Sequence, residues 1–370
     1  KGFLDELLFS VKTFVYSFIV DYSSVGNVFD EKNSLKVWIL GGRDQAQVVK
    51  DIIDYQFTKD TGIGVNLELV QGGIIEAILS GRNPDLILNT GRGEPVNLAA
   101  RGALVNLKEF DDFSNVINRF SSTAMVPYRY RDGYYALPVQ QNFNVMFYRA
   151  DILKELGLQI PGTWDEFVDV ASKIQKSNMQ VGIPSGGVVT LTGMPAGYEM
   201  FATLLLQKGE TFYNEDRSST NFNSTKAVEA FEEWTNFFAD YGLPVQFDFY
   251  NRFRTGEMPL AIQPYTQYNL LMVGAPEIRN LWGIAAVPGT KKEDGTIDRS
   301  VPGTGTAACI FSNTKKKESA WQLIKWWTGA EAQFQYGVSL EILMGAAARY
   351  DTANIEAFNM LPWSTAELKV

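Results

Sequence analysis

The spacing of apolar positions changes character near residue 35. Residues 35–40 read Leu-Lys-Val-Trp-Ile-Leu and end in Gly41-Gly42, which predicts a short buried strand. Val48, Val49, Ile52, Ile53 and Phe57 then recur at helical spacing, with Asp44 as the expected N-cap and Thr61-Gly62 as the stop. Residues 65–70 alternate as Val-Asn-Leu-Glu-Leu-Val, a second strand. A helix is expected over 74–79, ending at Gly81. Residues 85–88 (Asp-Leu-Ile-Leu) form a third, buried strand closed by Asn89-Thr90-Gly91. This β-α-β-α-β order predicts an α/β fold with a mostly parallel sheet covered by helices. In open sheets of that kind, ligands gather beyond the carboxyl ends of the strands. Three loops, 41–45, 71–73 and 89–92, should therefore share one rim, with Arg43, Asp44, Gln71, Asn89 and Arg92 as candidate contacts. The glycines of these loops are equally at home in tight turns.

Further along, residues 139–148 are extended, by turns aromatic and polar, and a helix follows at 150–156. Thr163 and Glu166 form a capping box at the start of another helix. Helices are expected at 198–206, 225–239 and 318–327, strands at 281–287 and 307–311, and a charged turn at 291–295. Lys315, Lys316 and Lys317 read as a solvated turn before the last helix. Residues 1–34 read as a helical flank or linker, with a loop at 23–27. Their apolar stretch over 4–20 contains Asp5, Glu6 and Lys12, which suits an amphipathic helix docking on a neighbouring surface better than a membrane span of about 20 residues.

Composition narrows the function. The chain has 370 residues, 45% of them hydrophobic, enough for one large or two medium domains. A formal net charge of -9 argues against a nucleic-acid surface, which needs clustered Lys and Arg. With no histidine and one cysteine, Cys309, no Ser-His or Cys-His nucleophile pair can be assembled, and a zinc site would have to consist almost wholly of carboxylates. No cofactor or metal is expected. Residues 303–308 (Gly-Thr-Gly-Thr-Ala-Ala) imitate a dinucleotide fingerprint, but a strand follows them where that motif opens a helix. Glu68, Glu94, Glu199 and Glu341 stand near expected rims, and each reads as solvated or hydrogen-bonded. Aromatic residues make up 13%, an excess that core packing explains and that sugar stacking would also need.

Four segments carry a resemblance: "GYYALPVQQNFNVMFYRADILKELGLQIPGTWDEF" (133–167), "FRTGEMPLAI" (253–262), "LWGIAAVPG" (281–289) and "KKKESAWQLIKWWTGAEAQFQYG" (315–337). In this order they resemble the family 1 extracellular solute-binding proteins, the maltose-binding-protein-like receptors of ABC importers, over residues 35 to 350. The tail at 344–363 looks like a Gram-positive subgroup. The resemblance implies the type II periplasmic-binding-protein fold: two α/β lobes joined by crossing hinge strands, closing on a ligand held in the cleft between them. Lobe 1 is expected at 35–143 plus 301–337, and lobe 2 at 144–300 plus 338–370.

The resemblance also implies that Gln140, Gln141 and Asn142 offer amides from the hinge segment. Tyr198 and Tyr265 occupy places where the family presents aromatics, and Gly303 and Thr304 bring backbone N–H groups near the ligand. The usual acidic hinge residue is replaced here by amides. The expected function is capture of a carbohydrate, an oligosaccharide, and its delivery to an ABC permease by a monomeric, non-catalytic receptor. That receptor would be tethered outside a Gram-positive cell by a signal upstream of Lys1. Family members continue beyond the position of Val370, so part of the site is expected to lie outside this sequence. A binder of some other solute, or a carbohydrate-active enzyme using paired carboxylates, are the alternatives.

Overall fold

The computed structural model describes residues 24–70, 74–79, 83–184, 198–216 and 218–362. Its strands run in the order β1 (Ser24–Val25), β2 (Ser34–Leu40), β3 (Gly64–Val70), β4 (Leu86–Gly91), the hairpin β5 (Arg129–Tyr130) and β6 (Gly133–Tyr134), then β7 (Leu137–Asn142) and β8 (Asn144–Arg149). They continue with β9 (Val181–Gly182), β10 (Leu260–Pro264), β11 (Trp282–Ala285), the hairpin β12 (Thr290–Lys291) and β13 (Ile297–Asp298), and β14 (Thr304–Ile310).

These elements fall into two compact units. The first holds the described residues as far as Gln140, together with Gly305–Leu340 and Thr352–Leu361; the second holds Gln141–Thr304, Glu341–Asp351 and Pro362. Their boundaries differ from the expected ones chiefly in the tail. Thr352–Leu361 joins the first unit because Ala353 N–H donates to the Val139 carbonyl and the Asn354 amide donates to the Thr328 carbonyl.

The sheet of the first unit has the order β1-β3-β2-β4-β14-β7. β2 lies parallel to both β3 and β4, as the β-α-β-α-β order predicts. Its burial is nearly continuous along Leu35, Val37, Trp38 and Ile39, which is what a strand covered on both faces requires. β1 and β14 add antiparallel neighbours. β1 falls in the stretch expected to be a loop. Val25 is fully buried, and the Phe29 N–H donates to Asn66, so residues from Ser24 onward are part of the first unit's sheet edge rather than a linker. The helix expected before them lies outside the described residues.

Two other local expectations need correction. The helix after β2 (Arg43–Ile52) has its N-cap two residues earlier than expected, at Gly42, whose N–H donates to Gln45 Oε1 at 3.3 Å. Asp44 therefore sits in the first turn, where a carboxylate faces the positive end of the helix dipole, and is not the cap. The lysine run before the helix Lys317–Trp327 is not simply solvated: Lys316 donates to the Ser34 carbonyl and Lys317 pairs with Glu109, tying the helix start to the unit.

The second unit is built on the sheet β11-β8-β10-β9, with β8 antiparallel to both β10 and β11 and β9 parallel to β10. Two hydrophobic clusters serve it. In one, the helix Trp164–Lys176 buries Trp164, Phe167, Val170, Ala171 and Ile174, a single stripe at helical spacing. Thr163 caps it through the Glu166 N–H at 3.3 Å while Glu166 returns to the Thr163 N–H at 3.2 Å, the capping box read from the sequence. The other cluster is aromatic. Phe147 of β8 lies 5.2 Å from the Phe249 ring and 6.0 Å from Trp282. Among the described residues no helix is long and apolar enough to cross a membrane.

Candidate functional site

In the first unit, β2 and β4 pair through Val37–Leu86 and Trp38–Ile87. Beyond that point the Asn89 side chain continues the ladder. Its Oδ1 accepts the Leu40 N–H at 2.7 Å, and its Nδ2 donates to the Leu40 carbonyl at 2.5 Å. Asn89 was expected as a ligand contact; its amide instead acts as a surrogate peptide group that holds the 41–45 loop to the end of β4. Arg43 and Asp44 are exposed at the start of the following helix. Gln71 lies outside the described residues.

The strand order then brings three distant segments together. Thr306 of β14 stands opposite Gly91, one residue from the half-buried Arg92. The Thr306 hydroxyl donates to Gln140 Oε1 at 2.9 Å, and its carbonyl accepts the Tyr128 hydroxyl at 3.4 Å. Burial holds the Tyr128 phenol well above its ordinary pKa, with the Arg92 charge pulling the other way, so the phenol is a neutral donor at physiological pH. Arg92, Tyr128, Gln140 and Thr306 thus form one polar face. Tyr128 and Thr306 are its members that sequence reasoning missed. Both read as ordinary strand or turn residues until β14 is placed beside β4 and β7.

In the second unit, Gln141 and Asn142 begin a different cluster. The Gln141 N–H donates to the Asp351 carbonyl at 2.9 Å. Asn142 Nδ2 donates to the Thr266 hydroxyl at 3.1 Å, while its Oδ1 accepts the Phe143 N–H at 2.8 Å. The Thr304 hydroxyl reaches the Asn142 carbonyl at 3.5 Å. A side chain at Gly303 would meet that same carbonyl at 3.7 Å and the Gln141 amide at 3.9 Å, so the 303–304 loop lies beside the amides. Tyr265 donates its N–H to the Phe143 carbonyl at 3.0 Å. Its ring stacks on Phe143 at 5.0 Å with 28° between the planes. Burial, reinforced by the Asp351 carboxylate, raises the Tyr265 phenol far above its usual pKa. Tyr198 opens the helix Tyr198–Gln207 as expected, but its side chain lies outside the described residues.

Phe143 is the residue of this face that sequence reasoning passed over, although a signal was available. It is an apolar ring set among Gln140, Gln141, Asn142 and Asn144, at the point where β7 ends and β8 begins.

Two of the carboxylates near the rims have partners within the protein. Glu68 accepts the Trp38 indole N–H at 2.9 Å and pairs with Lys36 at 3.3 Å, and Glu341 pairs with Arg349 at 3.0 Å. Among the described residues no group of three His, Cys, Asp or Glu side chains is placed to hold a metal ion. A cavity of about 690 Å³ in the second unit, between Trp164, Lys208, Glu229 and Lys291, contains none of the predicted contacts.

The chain is 25% identical over 282 residues to a binding protein of Brucella abortus, covering 72% of this chain and 64% of that one. It therefore spans somewhat less than two thirds of the length of that relative. It is 23% identical over 224 residues to the arabinooligosaccharide-binding protein of Halalkalibacterium halodurans, covering 57% of this chain and 47% of that one. Its fold is that of the sugar-binding protein MalE from Xanthomonas citri, at 18% identity and a TM-score of 0.69, over 88% of this chain and 84% of that one. The family model of bacterial extracellular solute-binding proteins matches residues 42–334, a stretch that contains the strands and loops of both polar faces, and this chain belongs to that family.

Proposed function

We propose that the protein is the carbohydrate receptor of an ABC importer. It captures an oligosaccharide and delivers it, as a monomer, to a membrane permease. In the full-length protein this happens outside the cell, on the surface of a Gram-positive bacterium. One observation carries the reading: amides and hydroxyls converge with aromatic rings on the second unit's face. Gln141, Asn142, Thr266 and Thr304 stand beside Phe143 and Tyr265. A sugar presents C–H faces edged by hydroxyls, which is the complement of that set. The arabinooligosaccharide-binding and MalE relatives support the same ligand class. On the first unit, the half-buried Arg92 is the group offered for hydroxyls.

The test is a thermal-shift and calorimetric screen against arabino-oligosaccharides, maltodextrins, monosaccharides, polyols and short peptides. A sugar present at a hundred times its Kd stabilises the native state by about 2.7 kcal/mol, a readily measured and reversible rise in Tm. Unchanged sugar after long incubation is expected; product formation would replace the receptor with an enzyme. A response confined to peptides would move the reading to another solute class.

A further inference from the structure

The second unit carries several exposed aromatic rings, and their surroundings differ. Phe222 and Phe231 are 47% and 51% exposed, but their ring neighbours are themselves aromatic: Phe201, Phe212 and Trp234. Phe143, 42% exposed, is surrounded otherwise. It follows two amides in the chain, its N–H is held by Asn142 Oδ1 and its carbonyl by the Tyr265 N–H, so its backbone is fixed on both sides. The Tyr265 ring supports it from behind at 5.0 Å. Tyr265 itself is half-buried and packed against the Phe147 cluster, with Phe143 stacked on it.

We propose that Phe143 is the specificity-determining platform of this face. Its exposed ring stacks on the C–H face of a ring sugar in a neutral oligosaccharide, and Tyr265 is the backing that keeps the platform flat. The proposal rests on the carbohydrate-receptor reading and adds the residue and the ligand feature it recognises. The Phe143 ring has Tyr265 on one side, and its solvent-exposed surface beside the amide groups has no apolar cover. A pyranose or furanose face supplies that cover while its hydroxyls reach the amides. Because the platform is already formed, little ordering is needed on binding. A linear polyol has no such face and gains nothing from it.

The experiment first takes the intact protein through calorimetric titration with arabinotriose, maltotriose and the linear polyol ribitol. If no sugar binds, the receptor reading falls and the platform falls with it. If a sugar binds, Phe143→Ala is titrated with the same sugar. Loss of affinity by about tenfold or more, with an unchanged apo Tm, is expected. Phe143→Trp should restore binding and add a sugar-dependent fluorescence change absent from the parent protein. Where ribitol binds measurably, Phe143→Ala should leave its affinity unchanged. Affinity of Phe143→Ala for the ring sugar within twofold of the parent overturns the proposal while leaving the receptor reading intact. So does an equal loss for ribitol, because that loss would be structural.

Discussion

The two units use the same kinds of polar residue for different ends. In the first, the groups at the strand ends are committed to the protein's own backbone and to one another: Asn89 to Leu40, Gln140 to Thr306, Glu68 to Trp38. In the second, Asn142 makes one bond to Thr266 and one to its own neighbour, and the rings beside it are partly in solvent. In the first unit the backbone pairing of β2 with β4 stops at Trp38–Ile87, and the Asn89 side chain completes the ladder at Leu40. The second has an antiparallel sheet with an aromatic core beneath it, and its surface groups are freer to face a ligand. An amide in a strand-end position is thus no guide to ligand contact until its hydrogen bonds are counted.

By that contrast, the second unit's stability should reside in its rings. Phe147→Ala removes the side chain around which Phe249, Phe253 and Trp282 pack, and should cost about 3–5 kcal/mol in urea unfolding. A loss below roughly 1 kcal/mol, measured against the size of a buried Phe deletion, would mean that this cluster is not the unit's core.

The two asparagines make the sharper test. Asn89→Ala should destabilise by about 2 kcal/mol, because both polar groups of Leu40 lose their partner in a half-buried strand end. Asn142→Ala should cost less than about 1 kcal/mol, since its partners are a side-chain hydroxyl and an N–H next to solvent. The order should reverse for sugar affinity, with Asn142→Ala the weaker binder. Equal costs for both variants would remove the distinction between the units.

The smallest expected effect lies where the units behave alike. In the second, Asp298 is pushed up by burial, but hydrogen bonds from Lys292 and Ser300 outweigh this and hold its carboxyl at about 2. In the first, the Lys325 side chain holds Asp112 below the usual carboxylate range, against a smaller effect of burial. Each folded value lies below the unfolded one, near 3.9 as an approximate reference. The stabilisation is therefore complete above the unfolded value and is lost as pH falls through the folded one. For Asp298, the Tm difference between the parent and Asp298→Asn should be constant above about pH 5 and close between about pH 4 and 2. A difference that grows on acidification would reverse the sign and refute the ion-pair account.

Much of this was legible in the chain. The period-2 and helical patterns over 35–88 gave the first unit's parallel strands, and Thr163 with Glu166 announced a capping box that the structure contains. The ordered segments from 133 to 337 pointed to the family now found over 42–334. Those signals are local: a strand's alternation or a cap is complete within a few residues. The site's chemistry is not. Asn89 meets Leu40 across 49 positions, Asn142 meets Thr266 across 124, and Gln140 meets Thr306 across 166. No window of sequence shows whether an amide will be claimed by a group that far away. The tertiary structure also decided that Ser24–Val25 is a sheet edge, that Thr352–Leu361 returns to the first unit, and that Phe143 rather than Tyr265 is the more exposed ring of the pair. In each case the outcome depends on which strand lies alongside, and that follows from burying the whole apolar surface together rather than from the residues that carry the site.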